Sequence, residues 1–313
     1  MLRPLLTLCS PGGQRGRLSV LIFHRVLAKP DPLFPDEMDA ARFDAVCRWV
    51  RHWFNVLPLD EASVRLREGR LPARAACITF DDGYADNLLI ATPILKRHGL
   101  NASFFIASGF LDGGRMWNDT VIEAVRACRQ PVLDLVPLGL GQHVLDSVPQ
   151  RREAIDAVLG QIKYLPQSER LDKVNALAAK AQVELPTDLM MSSEQLRELR
   201  RSGMLVGAHT VNHPILARVP LEVAREEIVE GRRAVEQIIG ERVSLFAYPN
   251  GRPGQDYGPE HVSLVRELGF DAAVSTHWGA ANAQTDLFEI PRFTPWDRSR
   301  IPFGLRMLRN LAS

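Results

Sequence analysis

A short apolar segment that ends on two adjacent carboxylates is the feature that most constrains how this chain can fold. Residues 76–80 are apolar or β-branched and predict a buried strand, which stops at Asp81, Asp82 and Gly83. Two ionised carboxylates side by side repel each other, so a strand end is a costly place for them. A divalent cation would remove that cost, because one aspartate can ligate the ion while the other stays free as a base. Taken alone, the segment is equally compatible with a solvated Asp-Gly turn between a strand and a helix.

Strand and helix patterns alternate along nearly the whole chain, which is typical of parallel strands surrounded by helices. Each predicted strand is a short run of apolar and β-branched residues, and polar residues follow directly after most of them. In parallel α/β folds of the barrel type, the active residues gather at the carboxyl ends of the strands. We therefore predict an α/β protein whose strand ends form its site. The predicted strands are 18–23, 55–57, 76–80, 103–107, 205–208, 244–248, 270–275 and 287–292.

One long segment interrupts this alternation. Residues 116–191 predict a helix, a hairpin across 132–145 and further helices in place of a strand-helix unit. We interpret this segment as an insertion that caps the barrel-like part and shapes a substrate groove. The predicted organisation is an N-terminal extension over 1–17, a catalytic domain over 18–296 that includes the cap, and a C-terminal tail over 297–313.

Composition argues against several classes of function. The chain has 313 residues, of which 46% are hydrophobic and 24% are charged, and its net charge is +1. Basic residues are spread along the sequence, so nothing predicts a nucleic-acid partner or an anionic membrane surface. The four cysteines form no C-x-x-C pair, and no apolar run reaches transmembrane length. Because residues 1–10 make a poor signal peptide, we expect residence in the cytoplasm by default. No feature of the sequence indicates an oligomeric state.

Two histidines follow another predicted strand, at His209 and His213. Two histidines and one carboxylate make a recurrent ligand set for a catalytic divalent metal that keeps positions open for water and substrate. Pro214 disfavours the right-handed helical conformation at His213, so the pair is expected on an irregular turn rather than on a helix. Taken alone, the spacing also fits incidental surface histidines, but the aspartates after the strand 76–80 favour a metal site.

Four short motifs together resemble the polysaccharide deacetylase family, the group with the NodB homology domain. The segments 79–83 (TFDDG) and 209–214 (HTVNHP) are similar to the first two signature motifs of that family. The segments 246–251 (FAYPNG) and 20–25 (VLIFHR) resemble a branch that acts on exopolysaccharides. The resemblance covers roughly 18–294, apart from the cap, and it implies a distorted (β/α) barrel of seven or eight strands.

The resemblance implies a role for each residue that matches a motif. Asp82, His209 and His213 would ligate a divalent metal, with zinc the expected ion although other first-row metals suit the same ligands. Asp81 would be the general base that takes a proton from water, and the resulting hydroxide would attack an N-acetyl carbonyl. The third motif would bind substrate, with the backbone N–H of Tyr248 facing the developing oxyanion. The substrate-binding residues of this motif are Tyr248, Pro249 and Asn250.

The chain departs from better-known relatives at two places. It has no late histidine to protonate the leaving amine, and Phe246 stands where many relatives have an arginine. His24 follows the first strand and is the best substitute acid, with a structural histidine as the alternative. Arg292 is expected to hold Asp81 ionised, with an ordinary surface arginine as the alternative. Trp117 is expected to stack on a sugar face and is equally compatible with a place in the core.

The hypothesis that follows is a metal-dependent de-N-acetylase that acts on an N-acetylated amino sugar. As the resemblance implies, the expected substrate is an exopolysaccharide, a capsule-type glycan or a glycan precursor. Two alternatives stay open: an amidase that acts on a small non-peptide C–N substrate, and an inactive glycan-binding module. The presence of Asp81 argues against the second alternative, because binding needs the metal ligands more than it needs a base.

Overall fold

Short strands rich in apolar and aromatic residues form the central sheet of the protein. The computed structural model describes residues 2–312. Their strands are β1 (Leu18–Phe23), β2 (Asn55–Val56), β3 (Ala75–Phe80), β4 (Ser103–Ile106), β5 (Val132–Asp134), β6 (Gln142–Val144), β7 (Leu205–Ala208), β8 (Leu245–Ala247) and β9 (Ala272–Val274). One parallel sheet has the order β1-β3-β4-β7-β8-β9, with β2 also paired to β3. β5 and β6 form a separate antiparallel hairpin.

A final extended segment joins the two edges of this sheet. Ile290 pairs with Val274 of β9, and Phe293 pairs with Leu21 of β1. The Phe293 N–H donates to the Val20 carbonyl at 2.7 Å, so the sheet curls back on itself. Every residue of β1 and β3 is buried, as expected for strands that are covered on both faces. The predicted α/β fold, a distorted barrel of mostly parallel strands with flanking helices, is confirmed.

Helices pack around the outside of the sheet and connect its strands. They are α1 (Leu2–Cys9), α2 (Ala40–Trp53), α3 (Leu59–Arg67), α4 (Thr92–Arg97), α5 (Trp117–Ala127), α6 (Val148–Ile162), α7 (Gln167–Ala181), α8 (Ser193–Arg201), α9 (Leu221–Ile239), α10 (Pro259–Glu267) and α11 (Arg300–Ala312). Local sequence sets their ends. The Asp39 carboxylate accepts hydrogen bonds from the N–H groups of Ala41 and Arg42 and so caps α2. Gly240, with a φ of 73°, ends α9 in the left-handed region that favours glycine.

The cap has a hydrophobic core of its own. It consists of α5, the β5–β6 hairpin, α6 and α7, and the hairpin lies where the sequence predicted it. Val125, Ile155 and Leu177, one from each cap helix, belong to the same fully buried cluster. The chain returns to the barrel at Met190, which pairs with Tyr84 just beyond β3. The cap is therefore anchored beside the strand end that carries the two aspartates.

The segments on either side of the predicted catalytic domain are both helical, and they pack against each other as α1 and α11. Leu6 of α1 and Phe303 of α11 are fully buried. A Cβ atom at Gly304 would lie 2.3 Å from the Leu2 side chain, so glycine allows the two helices to approach closely. In the part of the chain that the structure describes, no helix is long and apolar enough to cross a bilayer. The domain boundaries stay predictions.

Candidate metal centre and active site

The two aspartates after β3 face different partners because the backbone turns sharply between them. The Asp81 N–H donates to the Phe23 carbonyl at 3.0 Å and so extends the pairing of β3 with β1. Asp82 has a φ of 76° and Gly83 a φ of 93°, both in the left-handed region. A non-glycine residue is strained there, and such strain concentrates at functional sites. As a result the Asp81 carboxylate contacts Arg292, whereas the Asp82 carboxylate faces two histidines.

Asp82, His209 and His213 form a compact set of metal-ligand atoms. The Nε2 atoms of both histidines lie 3.5 Å from Asp82 Oδ1, and one ligand atom from each residue lies within 4.8 Å of the others. His209 Nδ1 donates to the Ala247 carbonyl at 2.7 Å, so Nε2 is the ring nitrogen that faces the aspartate, and its lone pair is available to a metal in the neutral ring. Asp82 Oδ1 is buried and makes no hydrogen bond within residues 2–312. An unpartnered carboxylate oxygen between two imidazole nitrogens fits a divalent cation, which takes these ligand types.

The charges in this set also suit a cation. Burial opposes the ionised form of Asp82, but the nearby histidines outweigh that effect and hold the pKa of this carboxyl well below its usual range. Burial lowers the pKa of His213 to about 4, and the neighbouring His209 adds to the effect. At neutral pH His213 is therefore uncharged, and a ring nitrogen lone pair is available to a metal.

The turn that carries the two histidines is irregular, as the sequence predicted. Thr210 has a φ of 66° and His213 a φ of 52°, so neither residue continues a right-handed helix. The prediction that Pro214 keeps His213 out of the right-handed helical region is confirmed. The Thr210 hydroxyl accepts a hydrogen bond from the His213 N–H at 3.0 Å, which fixes the turn from within.

Glu227 of α9 holds the same turn from outside, and the sequence analysis missed it. Its carboxylate accepts hydrogen bonds from the N–H groups of Val211 at 3.0 Å and Asn212 at 2.8 Å, and a third from the Asn212 side chain at 2.7 Å. Carboxylates placed in this way orient the residues that bind a metal. Nothing in its local sequence distinguishes Glu227 from the other glutamates of an amphipathic helix, so only the tertiary packing identifies it.

Gly231 lets α9 approach the histidine turn, and its replacement tests how closely that turn controls metal binding. A Cβ atom at Gly231 would lie 2.5 Å from the backbone of Thr210, so Gly231→Ala must displace the turn. We expect this variant to bind zinc about 10- to 100-fold more weakly, because the turn orients both histidines. Gly160→Ala is the matched control, since nothing lies within 4 Å of a Cβ atom at that helical position. Calorimetric titration with zinc compares the two variants, and equal affinities would show that the turn does not position the ligands.

Asp81 is paired with Arg292 in the interior. The two Nη atoms donate to the two carboxylate oxygens at 2.7 Å each, and Arg292 Nε donates to the Ser275 carbonyl at 2.7 Å. The side chains are 0% and 3% exposed, so water hardly screens the pair. Burial raises the pKa of Asp81, but the charge and hydrogen bonds of Arg292, together with the nearby histidines, outweigh burial and hold the pKa below its ordinary value. The structure thus excludes the surface-arginine alternative and joins Arg292 to the expected base.

The third motif departs from the prediction at Tyr248. Its N–H donates to the Val274 carbonyl at 3.2 Å, where β8 lies beside β9, and is not free to face an oxyanion. Its buried ring stacks on Tyr257, with 3.9 Å between the ring centroids. The predicted oxyanion donor is therefore wrong, because pairing between neighbouring strands takes the N–H. Pro249 is buried as well. Asn250 is the residue of this motif that lines a central cavity between the cap and the strand ends.

This central cavity has a volume of about 370 Å³ and lies between the cap and the strand ends. Asp82 and His213 line it from the barrel, together with His24, which is exposed to solvent. Trp117, at the start of α5, lines it from the cap. A second cavity of about 330 Å³ contains His24, Asp82 and His213 again and adds Asp81. The structure therefore brings the expected acid, base and metal ligands to two adjoining cavities.

Comparisons with known proteins agree with the fold. The family model for polysaccharide deacetylases matches residues 143–273, a segment that contains both histidines but not the two aspartates. A protein of Bacillus subtilis (strain 168), YxkH, is named as a candidate polysaccharide deacetylase. It is 19% identical to this chain over 278 residues, which are 88% of this chain and 70% of that protein.

Two solved structures share the fold over almost the whole chain. The deacetylase PplD of Streptococcus pyogenes, solved in complex with acetate, gives a TM-score of 0.62 at 18% identity and covers 94% of this chain and 98% of its own. IcaB from Ammonifex degensii gives a TM-score of 0.60 at 18% identity and covers 97% of this chain and 99% of its own. At such low identity the likeness shows the fold.

Proposed function

We propose that this chain, as a member of the polysaccharide deacetylase family, is a metal-dependent de-N-acetylase of an exopolysaccharide or of a glycan precursor. Family membership makes it a hydrolase that acts on carbon–nitrogen bonds. The metal dependence, the class of glycan and the role of each residue are the parts that we propose.

The observation that carries this proposal is the buried, unpartnered Asp82 Oδ1, which lies between His209 and His213 and next to a second, ionised aspartate. Hydrolysis of an amide needs an activated water, a base to take its proton and stabilisation of the oxyanion that forms. A metal-ligand set and a separate carboxylate at one cavity match the first two needs. The cap forms the facing wall of that cavity, where a sugar chain can lie.

The first group of roles concerns the attacking water. Asp82, His209 and His213 would hold the divalent cation, which when bound would polarise the acetyl carbonyl and lower the pKa of a water molecule. Asp81 takes the proton from the attacking water, since Arg292 keeps its carboxylate ionised. Arg292 is a positioning residue, because it fixes both the charge and the orientation of the base.

The second group of roles concerns the sugar and the leaving amine. His24 donates a proton to the amine nitrogen, a role that its place at both cavities supports. Because the side chain is exposed, solvent can return the proton after each turnover. Trp117 stacks on a sugar ring and Asn250 binds sugar polar groups, since both line the cavity. The class of glycan rests on the motifs at 20–25 and 246–251, which resemble the exopolysaccharide branch. The acetate bound to PplD, which is the product of deacetylation, supports the reaction type.

Acetate release from N-acetylglucosamine oligomers tests this function. Zinc-loaded protein should release acetate, a chelator should abolish the release, and added zinc should restore it. We expect His24→Ala to lower kcat by about 10²- to 10⁴-fold without weakening zinc binding. Full activity of this variant would place the acid elsewhere. Protein that binds the oligomers and zinc but releases no acetate would be a glycan-binding module, and release from small acetamides alone would favour the amidase alternative.

A further inference from the structure

Two basic side chains of the cap face the proposed metal site across the central cavity. Lys163 follows α6 and Arg170 lies in the first turns of α7, and both line the cavity that contains Asp82 and His213. Asp82, a proposed metal ligand, is the only carboxylate among the residues that line it. With a metal bound at Asp82, the cavity wall therefore carries positive charge and no free negative charge.

Arg170 is buried without a counter-ion. It is 7% exposed, and its Cζ lies 4.8 Å from the centroid of the Trp117 ring. Within residues 2–312 the guanidinium donates one hydrogen bond, from Nη1 to the Lys163 carbonyl at 3.0 Å, and forms no ion pair. Burial lowers the pKa of this guanidinium, as expected for a cation that has lost water and gained no carboxylate. Buried arginines are ordinarily paired with an acid, and Arg170 lacks such an acidic partner.

A purely structural role accounts for only part of this arrangement. The hydrogen bond to the Lys163 carbonyl helps to close the C-terminal end of α6, and the Trp117 ring offers its face to the cation. Capping uses one of the five guanidinium N–H groups, and the others retain their capacity to donate. Because Arg170 lines the cavity, these groups are placed to bind whatever enters it.

Lys163 gives the same wall a second cation. Its Nζ lies 5.6 Å from the centroid of the Tyr164 ring, and it forms no ion pair with any residue in the described part of the chain. It lines the second cavity as well, where Asp81 lies. Two cations without acidic partners, one buried and one half-buried, are typical of a site for an oxyanion.

We propose that Lys163 and Arg170 bind an anionic group carried by the glycan, a uronate carboxylate or a phosphoryl group, while the neighbouring acetamide lies at the metal site. This inference rests on the proposed deacetylase function and narrows its substrate class. A neutral N-acetylglucosamine chain would leave both cations unpaired in a partly enclosed cavity, which costs free energy, whereas an anionic substituent would pair with them. The preferred substrate is therefore an acidic glycan or a phosphate-linked sugar, rather than a neutral homopolymer.

Three N-acetylglucosamine substrates distinguish these cases: a neutral oligomer, an oligomer that alternates with glucuronate, and a nucleoside diphosphate sugar. Wild type should show a higher kcat/KM for one of the two anionic substrates, and the preferred one identifies the anion as carboxylate or phosphoryl. Lys163→Gln should lower kcat/KM for that substrate by on the order of tenfold and so reduce its preference over the neutral oligomer. Lys180→Gln is the matched control, since Lys180 is an exposed cap lysine on α7. Arg170→Lys, which keeps the charge, should lower the same preference without unfolding the cap.

A binding measurement separates this inference from the proposed function. Glucuronate and inorganic phosphate are titrated into zinc-loaded wild-type protein and into the zinc-loaded Lys163→Gln and Lys180→Gln variants, with glucose as the neutral probe. We expect the preferred anion to bind wild type and Lys180→Gln alike, and to bind Lys163→Gln about tenfold more weakly. Anion binding without acetate release from any substrate would overturn the deacetylase function and leave the anion site standing. Equal kcat/KM for neutral and anionic substrates, unchanged by Lys163→Gln, would overturn the anion site alone.

Discussion

Asp81→Asn should lower kcat/KM for acetate release by about 10²- to 10⁴-fold while zinc affinity stays the same. The amide cannot take a proton from water, so the proposed base is lost, but the metal-ligand set is untouched because Asp81 contacts Arg292 rather than the histidines. Acetate release is measured on zinc-loaded protein, and zinc affinity is measured by calorimetric titration of the same preparation. Thermal unfolding of that preparation shows that the variant is folded.

Asp82→Asn is the comparison variant for Asp81→Asn, because it should change zinc affinity as well as activity. It removes a charged ligand atom from the set that also contains His209 and His213, so zinc affinity and activity should fall together. If Asp81→Asn weakened zinc binding as much as Asp82→Asn does, both aspartates would be ligands and the proposed division of roles would fail. If Asp81→Asn released acetate at the wild-type rate, the base would have to be another group.

Arg292→Met should destabilise the protein by about 3–5 kcal/mol, because it leaves the Asp81 carboxylate buried and without its partner. The change also affects pH dependence. In the wild type Arg292 holds the native pKa of Asp81 below its ordinary value, so the stability from this pair is present at neutral pH and is lost as pH falls through that native pKa. Without Arg292 the pKa of Asp81 should rise, and the acidic limb of kcat/KM should move to higher pH with it.

Arg242→Met is the matched control for this prediction. Arg242 also makes two hydrogen bonds to one carboxylate, that of Asp271, but both side chains are more than half exposed. Its loss should change the free energy of unfolding by less than about 1 kcal/mol and leave the pH profile in place. Urea denaturation at several pH values compares the two variants. Similar small losses in both would show that the interior pair contributes no more than a surface pair.

The site residues that were predictable from the sequence share one property: their location in the fold follows from their position relative to a strand end or to a neighbouring residue. Asp82 and His209 directly follow strands, and parallel strands bring their carboxyl ends to the same rim. That His213 would not be helical was predictable because Pro214 acts on its immediate neighbour, although its φ of 52° lies in the left-handed region rather than the extended one that the rule favours. Local rules of this kind need no knowledge of which helix packs where. They were sufficient for a parallel α/β fold with Asp82 and the two histidines at one rim, whereas the role of these residues as metal ligands came from the family resemblance.

The residues that the sequence missed depend on contacts between distant segments. Glu227 acts only because α9 lies against the histidine turn, and Arg170 stands out only because the folded cap buries it without an acid. The error at Tyr248 has a similar origin, since whether its N–H is free depends on β9 lying alongside. Tertiary packing determines the partners of these three residues, so the pattern within a single helix or strand cannot predict them.

The closing segment of the barrel also ties the chemistry of the site to the order in which the chain folds. Arg292 lies between Ile290 and Phe293, the residues that join β9 to β1, and it is 211 positions away from Asp81. Until that segment docks, the Asp81 carboxylate would lie at the end of a nearly complete sheet without a neutralising partner. Closure of the barrel and neutralisation of the base therefore depend on the same contact, whose large separation in sequence should slow folding. A chain in which this segment has not docked would still bring together Asp82 and the histidines that follow β7, but the carboxylate of the proposed base would lack its partner.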